Sequence, residues 1–117
     1  MKYGMNLLLW SGEVTEELLP VCEQLRQIGY DGVELPIFNL DLDYAALGKR
    51  LDDLGLGRTA VTIRNEADNP ISGDASVRAK ALEMNRRTLD VCAAAGVETL
   101  VGPFHSAIGC FSGSGPT

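Results

Sequence analysis

Three times in 117 residues a helical stretch runs into a glycine and then into a short apolar strand. The passages are Gln27-Ile28-Gly29-Tyr30-Asp31-Gly32-Val33-Glu34-Leu35, Asp53-Leu54-Gly55-Leu56-Gly57-Arg58-Thr59-Ala60-Val61 and Ala94-Ala95-Gly96-Val97-Glu98-Thr99-Leu100-Val101. Glycine just past a helix takes up the left-handed turn that ends it. A further apolar strand, Tyr3 to Trp10, precedes the first repeat. The order is therefore β-α-β-α-β-α-β, the pattern of a parallel α/β fold.

Composition narrows the function classes. Apolar residues make up 45% and charged residues 22%, the balance of a globular chain. A net charge of −6 opposes binding to nucleic acid or to an anionic membrane surface. No run approaches the roughly 18 apolar residues of a membrane span. Met5 to Trp10 is too short for a signal-peptide core, so the chain reads as cytoplasmic. Cys22, Cys92 and Cys110 are odd in number and form no C-x-x-C pair, so neither a disulfide framework nor a zinc knuckle is implied.

Thr15 reads as the N-cap of the first helix, with Glu16 and Glu17 at the positive end of its dipole. Leu18, Leu19, Cys22, Leu25 and Ile28 form its inward stripe. The second strand is Gly32 to Pro36. Asp43 caps a second helix running to about Leu54, with Leu47, Leu51 and Leu54 facing in. The third strand is Arg58 to Arg64, followed by a polar loop from Asn65 to Gly73. The longest helix runs from about Ala75 to Ala95, with Val77, Ala81, Met84, Thr88, Val91 and Ala95 on its inner face. Arg78, Lys80, Glu83, Arg86 and Arg87 make a solvated face. The fourth strand is Glu98 to Gly102, and Pro116-Thr117 suits the start of a further helix.

Parallel strands joined by helices form either an open doubly wound sheet or a closed barrel. An open sheet usually carries a ligand apparatus after its first strand. Here Leu8-Leu9-Trp10-Ser11-Gly12-Glu13 contains no G-x-G-x-x-G, no P-loop and no acidic pair. A (β/α)8 barrel needs about 250 residues, roughly twice this chain. The predicted fold is α/β, the first half (β1 to β4) of a TIM (β/α)8 barrel, with residues 1–117 as an incomplete N-terminal part.

Particular residues carry a family resemblance. Lys2-Tyr3-Gly4-Met5-Asn6-Leu7-Leu8-Leu9-Trp10 resembles the opening strand of the sugar phosphate isomerase/epimerase superfamily, whose fold is the xylose isomerase-like TIM barrel. Ile28-Gly29-Tyr30-Asp31-Gly32-Val33-Glu34-Leu35-Pro36 resembles its second strand, commonly Gly-aromatic-Asp-x-x-Glu. Gly102-Pro103-Phe104-His105-Ser106-Ala107, with Gly113-Ser114-Gly115-Pro116-Thr117, resembles the fourth-strand loop of the ketose 3-epimerase branch.

The resemblance implies a metal-dependent sugar epimerase or isomerase, which removes a proton next to a carbonyl. A divalent metal, often manganese, polarises the substrate oxygens while two glutamates exchange protons. In the ketose 3-epimerases that the chain resembles, the ligands, two Glu, one Asp and one His, come from strands five to eight. The expectation is therefore an N-terminal fragment that binds no metal and is inactive alone. Its parent would act on a small sugar, without nucleic acid or membrane, as a possible homo-oligomer. The alternatives are a complete small α/β binding or assembly module, and a fragment of a hydroxypyruvate isomerase-like or inosose dehydratase-like enzyme.

What the chain can supply is one wall of the sugar pocket, at strand ends and the loops after them. Asn6, Leu8 and Trp10 should share one face of the first strand. Asn6 stands where the family often has a substrate-touching aromatic. Trp10 either walls the pocket or packs between barrel and helices. Glu34, a carboxylate on an apolar strand, needs a partner, and Arg64 at the end of the next strand is the expected one. Such a pair would hold the barrel mouth. His105, past the fourth strand, is a candidate for substrate contact. Phe111, with Ile108, would form an apolar lid over the sugar or pack against a fourth helix. No residue is assigned a catalytic or metal-ligating role.

Overall fold

The computed structural model describes residues 1–111. The β strands are β1 (Gly4–Asn6), β2 (Gly32–Pro36), β3 (Gly57–Val61) and β4 (Leu100–Val101). The α helices are α1 (Leu19–Ile28), α2 (Tyr44–Asp53) and α3 (Ala75–Ala94). The four strands form one parallel sheet in sequential order, with Asn6 opposite Glu34, Glu34 opposite Thr59, and Val61 opposite Val101. Sequential parallel order with a helical crossover each time is the order of barrel strands. The predicted β1-to-β4 half of a TIM barrel is what the chain forms. The expected tail contribution, Gly113 to Thr117, lies outside the described residues.

One face of the sheet carries the core. Val33, Leu35 and Ala60 pack with Leu18, Leu19, Cys22 and Leu25 before and along α1. Tyr44, Leu47 and Leu51 of α2, with Cys92 and Ala95 at the end of α3, join the same cluster. Alternation sends the neighbouring residues to the opposite, helix-free face. Gly29, Gly55 and Gly96 all have positive φ, at 122°, 69° and 72°, and make the three helix-ending turns read from the sequence.

Arg58 joins these layers. It leaves β3 on the helix side and donates to the carbonyl oxygens of Gly48 and Ala95, each at 2.9 Å, and pairs with Asp52. A fixed cation there suits the carbonyl end of α3. Gly48 permits the approach, because a Cβ on it would lie 2.8 Å from the Ala95 oxygen.

Several predicted bounds are corrected. The first strand does not run to Trp10: it stops at Asn6, whose Oδ1 accepts from the Leu8 amide at 2.8 Å and opens a 3-10 turn over Leu7–Leu9. That side-chain acceptor competes with the ladder, so Asn6, Leu8 and Trp10 do not share a strand face. Thr15 precedes a 3-10 turn, Glu16–Leu18, and makes no side-chain cap. Ile28 is 74% exposed rather than inward, since the helix turns away at Gly29. The third strand ends at Val61, and Arg64 returns only as an isolated bridge to Ala107. The polar loop contains a 3-10 turn, Glu66–Asp68. Leu54 is half-buried, as the residue that closes α2.

Candidate functional site

The site is built on the helix-free face. Asn6, Glu34 and Thr59 stand opposite one another on β1, β2 and β3, and their side chains join into one row. The Asn6 amide donates to Glu34 Oε1 at 3.0 Å, and the Thr59 hydroxyl donates to Glu34 Oε2 at 2.7 Å. Each carboxylate oxygen thus has one neutral donor, which fixes the rotamer. Asn6 serves twice, ending β1 through its carbonyl oxygen and orienting Glu34 through its nitrogen. A cavity of about 440 Å³ lies against this row, with Gly4, Gly32 and Gly57 below it and Lys2 at its rim.

The expected Glu34–Arg64 pair does not form. Arg64 is 4% exposed and turned toward α3. Its Nε donates to Asn85 Oδ1 at 2.7 Å, its guanidinium donates to Thr88 Oγ1 and the Ile63 oxygen at 2.8 Å each, and Asp68 lies at 4.0 Å. Burial pulls its pKa below the ordinary value, with Asp68 acting in the opposite sense. The physical reason for the miss is alternation: Arg64 lies beyond the end of β3, where the chain no longer keeps the face of Thr59. Arg64 instead ties the end of β3 to α3.

The remaining predicted residues follow strands, Trp10 after β1 and His105 and Phe111 after β4. Trp10 is 46% exposed just after the 3-10 turn of β1. His105 is exposed in the loop after β4. Phe111 is 96% and Ile108 54% exposed. The loop after His105 is tied to the segment that follows β3 by Ala107, whose amide donates to Asn69 Oδ1 at 3.0 Å, and by Ile108, whose amide donates to the Arg64 oxygen at 2.8 Å. Cys110 donates to Glu66 Oε1 at 3.3 Å, a bond that raises its pKa. Burial raises the thiols of Cys22 and Cys92.

Sequence reasoning missed Thr59 and Thr62. Thr59 was legible in principle, because a strand position two before Val61 shares its face. Thr62 is fully buried, and its hydroxyl donates to the Ile37 oxygen at 2.7 Å, holding the ends of β2 and β3 together. Among the described residues no group of three or more His, Cys, Asp or Glu comes together in a way that could hold a metal ion. No helix among them is long and apolar enough to cross a membrane.

Residues 22–115 match the family model described as the xylose isomerase-like TIM barrel. The chain belongs to this family. An L-ribulose 3-epimerase from Mesorhizobium japonicum is 32% identical over 91 residues, which are 75% of this chain and 30% of that protein. The structure of a D-allulose 3-epimerase from Methylomonas sp., in complex with D-allulose, superposes with a TM-score of 0.84 at 27% identity, covering 97% of this chain and 40% of that one. The structure of an L-ribulose 3-epimerase gives a TM-score of 0.82 at 25% identity, covering 100% of this chain and 40% of that one. The chain therefore spans well under half the length of the xylose isomerase-like proteins it matches.

Proposed function

We propose that residues 1–117 are the N-terminal part of a xylose isomerase-like TIM barrel domain, and that the whole protein is a ketose 3-epimerase. The observation that supports this most directly is the oriented polar row of Asn6, Glu34 and Thr59 on the helix-free face of four barrel-ordered strands. The similarity to L-ribulose and D-allulose 3-epimerases points to a small ketose as substrate. The role left to this chain is to build one wall of the sugar pocket, with Asn6, Trp10, Glu34, His105 and Phe111 as its candidate contacts and Arg64 as the tie that holds the end of β3.

The described residues do not fit a divalent-metal centre, since they bring no ligand set together. In this reading the metal, manganese by family resemblance, and the proton-transferring carboxylates belong to strands that follow β4, so the chain is inactive by itself. The protein works in the cytoplasm, and its oligomeric state is a property of the completed barrel.

The experiment has two arms. Residues 1–117 alone, assayed with manganese on D-allulose, D-fructose, D-tagatose and L-ribulose, are expected to show no turnover; turnover above background overturns their inactivity. The complete protein is expected to interconvert at least one ketose with its 3-epimer. Turnover of hydroxypyruvate or an inosose in its place would move the protein to another branch of the superfamily.

A further inference from the structure

Register gives the helix-free face a layer with no side chain. Gly4, Gly32 and Gly57 stand opposite one another on β1, β2 and β3, each two residues before its member of the polar row. At the central strand the layer is unfilled for a steric reason, whereas a Cβ on Gly57 would meet nothing closer than the Asp31 oxygen at 3.6 Å. A Cβ on Gly32 would lie 2.6 Å from the Gly57 carbonyl oxygen, and one on Gly4 would lie 3.4 Å from that of Gly32. The cavity of about 440 Å³ lies over this layer and the row beside it. A barrel interior is a packed core built of side-chain layers. Space left by three adjacent strands must then be filled by a long side chain reaching from across.

The polar row specifies what that side chain carries. Glu34 accepts only from the neutral groups of Asn6 and Thr59, and no ion pair among the described residues includes it. Enclosing a carboxylate without a countercharge is strongly unfavourable. Arg58 lines the cavity, but its guanidinium is committed to Gly48, Ala95 and Asp52 on the helix side. Lys2 sits exposed at the rim, four residues before Asn6, a separation of roughly 13 Å along a strand.

We propose that the glycine layer and Glu34 together form a docking site for one arginine or lysine side chain from the strands that close the barrel. Its alkyl stem lies over Gly4, Gly32 and Gly57, and its cationic head meets the Glu34 carboxylate. The proposal rests on the closed-barrel part of the function proposed above and does not depend on which sugar the completed barrel takes.

Amide chemical-shift titration of the 117-residue chain with butylguanidinium, and with butylurea as its neutral counterpart, tests the site. Saturable shifts at Asn6, Gly32, Glu34 and Gly57 are expected with the guanidinium alone. Glu34→Gln should weaken them about tenfold, the factor a hydrogen bond to a charged group is worth. An equal response to the urea, or to the variant, overturns the proposal. In the complete protein, double-mutant cycles pair Glu34→Gln with each inward-facing Arg or Lys changed to Met, Lys2→Met included. One position beyond β4 should be non-additive with Glu34; coupling to Lys2 alone, or to none, overturns the site. Coupling in a protein that turns over no ketose would overturn the epimerase proposal and leave the site standing.

Discussion

At the scale of single residues, short polar side chains on the strands decide where the sheet ends and what its open face presents. Asn6 ends β1 and orients Glu34 with the two halves of one amide. Thr62 bridges two strands from a fully buried position. Tyr44 is the clearest titrating case. It is 3% exposed, its hydroxyl donates to the Asn39 oxygen at 2.6 Å, and its pKa is pushed up to about 12, by burial first and then by Glu13 and Cys92. The folded state therefore holds this proton more tightly than the unfolded chain, where the value is 10.0. The Tyr44 contribution to stability is constant well below pH 10 and falls between pH 10 and about 12, by about 2 kcal/mol at the upper end. Urea titrations across that window should show the fall in the wild type. Tyr44→Phe, which has no proton to lose, should show a shallower fall while costing about 1 kcal/mol at neutral pH for the lost hydrogen bond.

At the scale of elements, α2 and α3 meet at a point where only glycine fits. Gly48 lies against the carbonyl end of α3, and Arg58 holds both helices from β3. A methyl group on Gly48 would meet the Ala95 oxygen at 2.8 Å. Gly48→Ala is expected to lower stability by about 1–3 kcal/mol through overpacking, outweighing the roughly 1 kcal/mol that alanine gains over glycine inside a helix. Chemical denaturation reads the balance, and a stabilised variant would show that the helices can separate at no cost. The helix stops were legible beforehand because Gly29, Gly55 and Gly96 carry their own conformational signal. The end of β1 was not, because a run of three leucines favours a strand as readily as a 3-10 turn, and only the contact from Asn6 to Leu8 separates them. Ile28 shows the same limit. Its spacing fits the inward stripe of α1, yet it is exposed as the last helical residue before the turn at Gly29.

At the scale of the whole molecule, the sheet has an inside and two ends. Its central strands, β2 and β3, are paired on both sides, whereas β1 and β4 are each paired on one. Hydrogen exchange should therefore be slowest at Val33, Leu35 and Ala60, and fastest among strand amides at β1 and β4. Uniform protection across all four strands would mean that the edges are covered in solution. The half-barrel order was legible because each strand repeats after a helix and no nucleotide-binding loop interrupts the pattern. The polar row was half legible. A carboxylate at position 34 of an apolar strand called for a partner, but the choice of Arg64 failed because it depends on which way each side chain leaves its strand.

The sequence by itself determined the kind of fold, since hydrophobic periodicity and helix-ending glycines are local signals that each segment carries alone. It also determined that a buried-type strand holds one carboxylate, Glu34. Only the tertiary structure decided that Asn6 and Thr59 hold it and that Arg64 serves α3. Only the structure shows, likewise, that Gly4, Gly32 and Gly57 leave a layer clear below the row. Arg64 reaches Asn85 and Thr88 across 21 and 24 positions, and strand register joins Asn6, Glu34 and Thr59 across 25 or more. A one-residue change of register would send each of those side chains to the other face of the sheet.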